Sequence, residues 1–138
     1  RNQNIQSNVA KIIPATLWSG IIFLVCLVPG SSIPQDDWLD KIHFDKLVHA
    51  GLYLILFLLI IRISRKINAA NLFAAGILCI TQGILIEILQ ESIVFLHRSF
   101  DIWDIAANMA GILLAVFLAG KWYKQFNFLF SAIFDMFS

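Results

Sequence analysis

The sequence predicts an all-α fold, an integral membrane four-helix bundle with a C-terminal amphipathic interfacial helix. Three observations predict it. Hydrophobic residues make up 59% of the 138 positions, and the mean hydropathy is +0.81, which is too apolar for a soluble domain of this size. Four apolar segments approach the thickness of a bilayer. A tail with helical periodicity follows the last of them. The length favours a single domain over residues 1–138.

The four predicted spans cover residues 12–28, 45–61, 69–89 and 101–119. A helix rises about 1.5 Å per residue, so roughly 20 residues cross the hydrocarbon. The second and fourth spans reach that length only when their polar first turns are included, which places carboxylates inside the helices. The first segment is predicted to be retained as a span, because its apolar run is longer than a usual signal core and lacks a clear cleavage site.

The tail over residues 122–138 carries apolar side chains at helical spacing, with polar residues largely opposite. This pattern predicts an amphipathic helix in the inner headgroup region, and the alternative is a cap that packs under the bundle. The apolar positions are Trp122, Phe126, Leu129, Phe130, Ile133, Phe134 and Phe137.

The distribution of Lys and Arg predicts the orientation. Seven of the ten lie at the N-terminus, in the loop 62–66 or after residue 119, so the positive-inside rule places both termini in the cytoplasm. The net charge of +1 and the lack of a basic patch with interleaved aromatics argue against nucleic-acid binding. The three remaining basic residues, in the outer loops, are Lys41, Lys46 and Arg98.

Eight of the nine acidic residues lie within residues 36–45 and 87–104, which border the apolar runs. Together with their immediate neighbours, these stretches also hold all three histidines. Ionisable groups at a membrane edge are costly, so their clustering predicts a functional site. If both stretches emerge on one side, several helices would build one polar site.

Asp45 and His49 open the second span and lie four residues apart, so they share a helical face with Tyr53 one turn further on. A carboxylate in that position can orient an imidazole and raise its basicity. The alternative is that these residues only snorkel to the interface and end the helix, and for Lys46 alone that is the preferred interpretation.

Glu87 lies within an unbroken apolar run, with Gln90 one turn along. An acidic side chain at the bilayer centre costs roughly 2.5 to 3.5 kcal/mol, and less near the edge, so Glu87 is expected to have a partner.

A stripe of polar and small residues descends the fourth span at spacing i, i+3, i+7 and i+10. Such a stripe is predicted to face the bundle interior, and a glycine in it lets a neighbouring helix approach closely. Ser99 is the predicted N-cap. Asp101 and Asp104 could also be explained by the helix dipole, which favours acidic residues in the first turn. That alternative does not explain Asn108, which lies deeper in the membrane. The stripe consists of Asp101, Asp104, Asn108 and Gly111.

Three motifs combine here: Asp45-Lys46-x-x-His49, Glu87-x-x-Gln90 and Arg98-x-x-Asp101-x-x-Asp104-x-x-x-Asn108-x-x-Gly111. Over about residues 31–120, this combination resembles the VanZ-like family. That family comprises small bacterial four-helix membrane proteins associated with glycopeptide (teicoplanin) resistance. The resemblance implies the fold, the site and a bacterial cytoplasmic membrane, but no reaction, because the family's activity is not settled. Many relatives have Pro-Gly before the arginine, where this chain has Leu96-His97.

The residues therefore predict an outer-face site that handles an anionic lipid or cell-wall-precursor headgroup, with phosphoester transfer or hydrolysis as the reaction class. Arg98, with Lys46 near, would hold a phosphate. His49, oriented by Asp45, would be general base or nucleophile, and Glu87 the acid. The predicted catalytic residues are His49, Asp45, Glu87 and Asp104, and the predicted ligand-binding residues are Arg98, Lys46, Gln90, Asp101 and Asn108.

Three alternatives stay open. The same pocket could bind or translocate a lipid, or bind an antibiotic, without catalysis. The chain could be an assembly subunit whose charges pair with another membrane protein. The charges could also form an ion-pair plug, although buried ion pairs stabilise poorly against apolar packing.

A metal ion would suit the donor types at this site, Zn²⁺ or, with more oxygen ligands, Mg²⁺, but the spacing of the residues is not diagnostic. Its ligands would be His49 with Asp45, Glu87 and Asp104.

Overall fold

The structure, a computed structural model, describes residues 2–29, 43–64 and 67–135, with side chains described from residue 9 to 121 within those ranges and at 125 and 128. The described residues are all-helical. The predicted loop charges Lys41, Arg65 and Lys66 lie outside them. The helices are α1 (Asn2–Cys26), α2 (Phe44–Ile63), α3 (Ala69–Ser92), a 3₁₀ turn (Val94–Leu96) and α4 (Ile102–Asp135).

Each of the four α-helices contains a segment long and apolar enough to cross a membrane, which confirms the prediction of a multi-pass helical chain at that level. Large apolar side chains lie on the outer surfaces of three of them, which suits contact with lipid: Leu24 on α1, Phe73 on α3 and Leu113 on α4 are each at least 67% exposed. The candidate spans are Val9–Cys26, Phe44–Ile63, Ala69–Ser92 and Ile102–Lys121.

Helix α2 is the centre of the bundle, because it packs against α1, α3 and α4, most extensively against α4. Tyr53, Leu56 and Phe57 of α2 are almost completely buried. They pack in one core with Ile22 of α1 and Ile86 of α3, among others.

The C-terminal turns of α1 and α3 meet the N-terminal turns of α2 and α4 at one end of the bundle, called here the polar end. Gln90 Nε2 donates to the carbonyl oxygen of Cys26 at 2.8 Å, which joins α3 to α1. Lys46 of α2 forms an ion pair with Asp101, immediately before α4. The up-and-down order of the helices thus brings both acidic motifs to the same end.

Nearer the middle of the bundle, a reciprocal contact called here the mid-bundle pair joins α1 to α3. Ser19 Oγ donates to Gln82 Oε1 at 3.1 Å, and Gln82 Nε2 donates to the Ser19 carbonyl oxygen at 3.2 Å. Trp18 Nε1 also donates to the Leu52 carbonyl oxygen at 3.0 Å, so α1 is tied to α2 as well. Interhelical hydrogen bonds of this kind fix helix positions within a membrane.

Gly111 is the point at which α4 approaches α2. A Cβ atom built on Gly111 would lie 2.8 Å from the carbonyl carbon of Ala50 and 3.0 Å from its Cα. A neighbouring backbone cannot move aside as a flexible side chain can. The predicted role of Gly111 in close helix packing is therefore confirmed, and it brings the polar stripe of α4 against α2.

Two sequence-based boundaries differ from the structure. The prediction that Ser99 caps the fourth helix is wrong, because α4 begins at Ile102 and Asp101 Oδ1 accepts the N–H of Trp103 at 2.8 Å. Asp and Ser are comparable as capping residues, so the path of the chain, which brings Asp101 to this position, decides between them. At the other end, α4 continues to Asp135 without interruption, so no separate helix begins near residue 122. Most side chains of the predicted amphipathic tail lie outside the description.

Candidate functional site

The polar end buries an unusual set of polar side chains for a membrane protein. Both His49 and Glu87 lie five residues inside a helix end, which corresponds to a depth of about 8 Å. Groups at that depth have lost most of their water and need partners from the protein or from a ligand. The five buried polar residues at this end, among those described, are His49, Glu87, Gln90, Asp104 and Asn108.

Lys46 is surrounded by three carboxylates. Its Nζ lies 3.0 Å from Asp45 Oδ2 and 2.5 Å from Asp104 Oδ1, and it also bonds to Asp101 Oδ2. The hydrogen bond from Lys46 holds the pKa of the Asp101 carboxyl below its ordinary value. Because its ammonium is already engaged, Lys46 neutralises the acidic cluster and has little charge to offer to an anion.

His49 is held by α4 rather than by its own helix. Its Nδ1 lies 3.1 Å from Asn108 Oδ1, and its Nε2 lies 3.5 Å from Asp104 Oδ2. With the amide oxygen as acceptor, the proton of a neutral ring is on Nδ1, and Nε2 faces Asp104. The structure does not place Asp45 against His49 as predicted. The Asp45 side chain is 53% exposed and forms an ion pair with Lys46 instead.

Glu87 joins the end of α3 to the start of α4. Its Oε2 accepts the backbone N–H of Asp101 at 2.8 Å. Its Oε1 is buried and has no hydrogen-bond partner. One donor atom from each of His49, Glu87 and Asp104 lies within 4.8 Å of the other two. These three residues, called here the buried trio, come from three different helices.

Arg98 follows the 3₁₀ turn and is partly exposed. No carboxylate of a described residue lies within ion-pairing distance of it, although Glu87 is within its electrostatic range. His97, just before it, adopts a left-handed conformation with φ 48°, which a glycine adopts without strain. The sharp turn that this creates leads the chain from the end of α3 towards α4.

Gln90 and Tyr53 complete the site's surroundings. Gln90 is predicted to bind a ligand, but its amide turns to α1, where it bonds to Cys26, so the structure gives it a bridging contact. The Tyr53 hydroxyl is buried without a hydrogen-bond partner and lies near Gly83 and Asn108. The spacing from His49 already places Tyr53 on this face of α2.

The structure thus connects seven of the nine predicted site residues through hydrogen bonds and ion pairs, whereas Gln90 bonds to Cys26 of α1 and Arg98 lies within electrostatic range of Glu87. Sequence reasoning did not anticipate the Glu87 contact with the Asp101 amide, since a backbone donor leaves no trace in residue spacing. No family model, curated protein or solved structure matches this chain.

Proposed function

We propose that this chain is a VanZ-like protein of the bacterial cytoplasmic membrane whose polar end binds and acts on the anionic headgroup of a lipid or lipid-linked cell-wall precursor. The observation that carries the proposal is that two different kinds of group lie close together at this end. A buried trio of ionisable side chains lies beside an arginine whose charge no described carboxylate takes up.

Arg98 is the phosphate-binding residue in this proposal. Guanidinium groups bind phosphate through paired, charge-assisted hydrogen bonds. Lys46 has an indirect role, because its ammonium offsets the negative charge of Asp45, Asp101 and Asp104. Without it, these carboxylates would repel an approaching anion. The predicted shared role of Lys46 in phosphate binding is thus replaced by an indirect one.

The buried trio is the reactive end of the site. Imidazole and carboxylate groups in a water-poor setting can move protons or hold a cation that activates water. Either route serves phosphoester transfer or hydrolysis once Arg98 has positioned the phosphate. Asn108 supports the reaction by holding the His49 ring.

A lipid is favoured over a soluble phosphate because an apolar groove opens next to the same charges. The groove has a volume of about 570 Å³ and lies between α2 and α4, where it is lined by His43, Lys46, Trp103, Ala106 and Ala107. Trp103 is 70% exposed at the first turn of α4, and tryptophan favours the membrane–water interface. An acyl or prenyl chain in this groove would bring its headgroup to the polar end, where Arg98 would receive it.

The orientation forms part of the proposal. With both termini in the cytoplasm, as the positive-inside rule predicts, the polar end faces outward and meets lipids of the outer leaflet. The tail beyond residue 121 would then reach the inner headgroup region.

Lipid mass spectrometry on protein purified in gentle detergent tests the proposal. We expect the wild type to retain an anionic lipid that Arg98→Ala loses and Arg98→Lys partly keeps. Lys11→Ala, which removes a basic side chain far from the polar end, is the control and should behave as the wild type. Equal anionic lipid in the wild type and in Arg98→Ala would contradict headgroup binding by Arg98.

The same samples separate catalysis from binding alone, the second candidate function. The closed ion-pair cluster around Lys46 favours that candidate, since those carboxylates are not available as bases. We expect a modified headgroup with the wild type and only unmodified lipid with Glu87→Gln. Unmodified lipid in both would support binding or translocation without chemistry.

A further inference from the structure

We propose that the buried trio of His49, Glu87 and Asp104 binds a divalent transition-metal cation, for which Zn²⁺ is the expected ion. Imidazole nitrogen and carboxylate oxygen are both zinc ligands, and a catalytic zinc site has three protein ligands with a fourth position open for water or substrate. The three residues are 5% exposed or less, and one donor atom from each lies within 4.8 Å of the other two.

The geometry between His49 and Asp104 indicates a cation better than a hydrogen bond. The distance of 3.5 Å from Nε2 to Oδ2 exceeds the usual N–H···O range of about 2.7–3.2 Å. Two ligands of a tetrahedral zinc ion, each about 2.0–2.1 Å from it, lie roughly 3.4 Å apart. With Nδ1 donating to Asn108, a neutral ring presents the Nε2 lone pair towards Asp104 Oδ2, and a cation between these two atoms would stabilise that arrangement.

Glu87 supplies an independent indication. Its Oε1 is completely buried and has no hydrogen-bond partner. Leaving a buried polar atom unsatisfied costs about 1–3 kcal/mol, and more for a charged group. A cation coordinated by Glu87 would remove that cost, whereas a purely structural carboxylate could have been replaced by an apolar side chain.

The charges of the described groups around the buried trio and Lys46 suit a divalent ion. Four carboxylates there face two cations, Lys46 and Arg98, so these groups carry two net negative charges when His49 is neutral. One divalent cation would balance them. The carboxylates are Asp45, Glu87, Asp101 and Asp104.

Asp45 does not belong to this metal site, although the sequence suggests it as a ligand. It shares a second acidic cluster with Asp101 and Asp104, but the Lys46 ammonium already occupies the centre of that cluster. Asp104 connects the two arrangements, since Oδ1 bonds to Lys46 and Oδ2 faces His49. That division of its two oxygens fixes the direction in which Asp104 would meet a metal.

The role of the cation rests on the proposed function, but the site itself does not. When bound beside Arg98, a zinc ion would polarise a phosphoryl oxygen or lower the pKa of a water ligand. Zinc binding can be measured without any lipid, so the two proposals can fail separately.

The test uses the full chain, purified in detergent without a histidine tag and stripped of metal, with Zn²⁺ added and bound zinc measured by elemental analysis. We expect one zinc ion per wild-type chain. Loss of an outer-sphere partner weakens metal binding by about 10- to 100-fold. Because Glu87 would bind the zinc ion directly, Glu87→Gln should weaken zinc binding by more than that. Glu91→Gln makes the same change at an exposed position of α3 and should bind as the wild type does.

Two further measurements keep the result decisive. Circular dichroism verifies that Glu87→Gln keeps the helical fold, and the absorption spectrum of the Co²⁺-substituted protein reports whether nitrogen and oxygen ligands surround the ion. No zinc on the wild type, or equal zinc on Glu87→Gln, would overturn the metal site while leaving lipid retention by Arg98 untouched. Zinc binding without lipid retention would support the metal site and count only against the headgroup proposal.

Discussion

Gln82 and Glu87 lie five residues apart on the same helix, but they differ in how far their polar atoms are hydrogen-bonded. Gln82 exchanges two hydrogen bonds with Ser19 and has a partner for both its oxygen and its nitrogen. Glu87 has one oxygen bonded to the Asp101 amide and the other buried without a partner. The polar groups that join α1 and α3 satisfy one another, whereas the polar end contains a buried carboxylate oxygen without a hydrogen-bond partner.

The basic residues of the polar end show the same contrast. Lys46 is closed off by three carboxylates, whereas no described carboxylate pairs with Arg98. We therefore propose that Lys46 maintains the fold of this end and that Arg98 receives an incoming anion. The following substitutions test this division.

The largest loss of stability is expected from Lys46→Met. It leaves the buried Asp104 without its counter-ion, and breaking a buried pair from one side costs about 3–5 kcal/mol. Lys46 is partly exposed, so the lower end of that range is expected. The measurement is the free energy of unfolding in detergent at pH 7. Lys11→Met, far from the polar end, should change it by less than about 0.5 kcal/mol, and equal effects of the two changes would refute a special role for Lys46.

Gly111→Ala is expected to cost about 1–3 kcal/mol, because the new methyl group meets the Ala50 backbone and forces α2 and α4 apart. Thermal unfolding in detergent measures the loss. The control is Gly120→Ala, since a Cβ there meets nothing within 4 Å. Unchanged stability in Gly111→Ala would show that the two helices are not in close contact.

Asp101→Asn is expected to lower stability at pH 7 by up to about 1 kcal/mol, since the ion pair with Lys46 is partly exposed. The amide retains the oxygen that caps α4. Because the folded-state pKa of Asp101 is lowered, its contribution is complete above its ordinary value of about 3.9 and disappears as pH falls through the folded value. Unfolding measured from pH 7 to pH 2 should therefore show the wild type and variant converging, and a constant difference would contradict this assignment.

The smallest effect is expected for the mid-bundle pair. Ser19→Ala combined with Gln82→Leu should cost about 0.6 kcal/mol, the average for interhelical hydrogen bonds in a membrane. A double-mutant cycle gives the coupling between the two side chains. Lipid and zinc retention should be unchanged, because neither residue lies at the polar end. Loss of either ligand would mean that the two regions are not separable.

Much of the architecture was readable from the sequence because it depends on spacing along one chain. Apolar length gave the four spans, and the i, i+3, i+7, i+10 pattern placed Asp104, Asn108 and Gly111 on a buried face. Partner choice between helices was not readable. Asp45 was the expected partner of His49, but the rotation of α4 puts Asn108 and Asp104 there instead, and no periodicity within α2 encodes that rotation.

Local competition explains the remaining differences. Ser99 is a good capping residue, but Asp101 caps α4 and so starts the helix later. The backbone amide that Asp101 offers to Glu87 depends on where the chain turns, and His97 in its left-handed conformation is part of that turn. Contacts to backbone groups follow from the path of the chain and are therefore visible only in three dimensions.

Both proposals require that Glu87 is kept at the polar end for a ligand and not for stability. The decisive measurement is the free energy of unfolding of metal-free, delipidated Glu87→Gln, compared with that of the wild type in the same state. The amide can still accept the Asp101 N–H, and the substitution removes a buried negative charge whose Oε1 has no partner, so we expect stability equal to or above that of the wild type. A loss of several kcal/mol would mean instead that Glu87 belongs to a structural ion-pair plug.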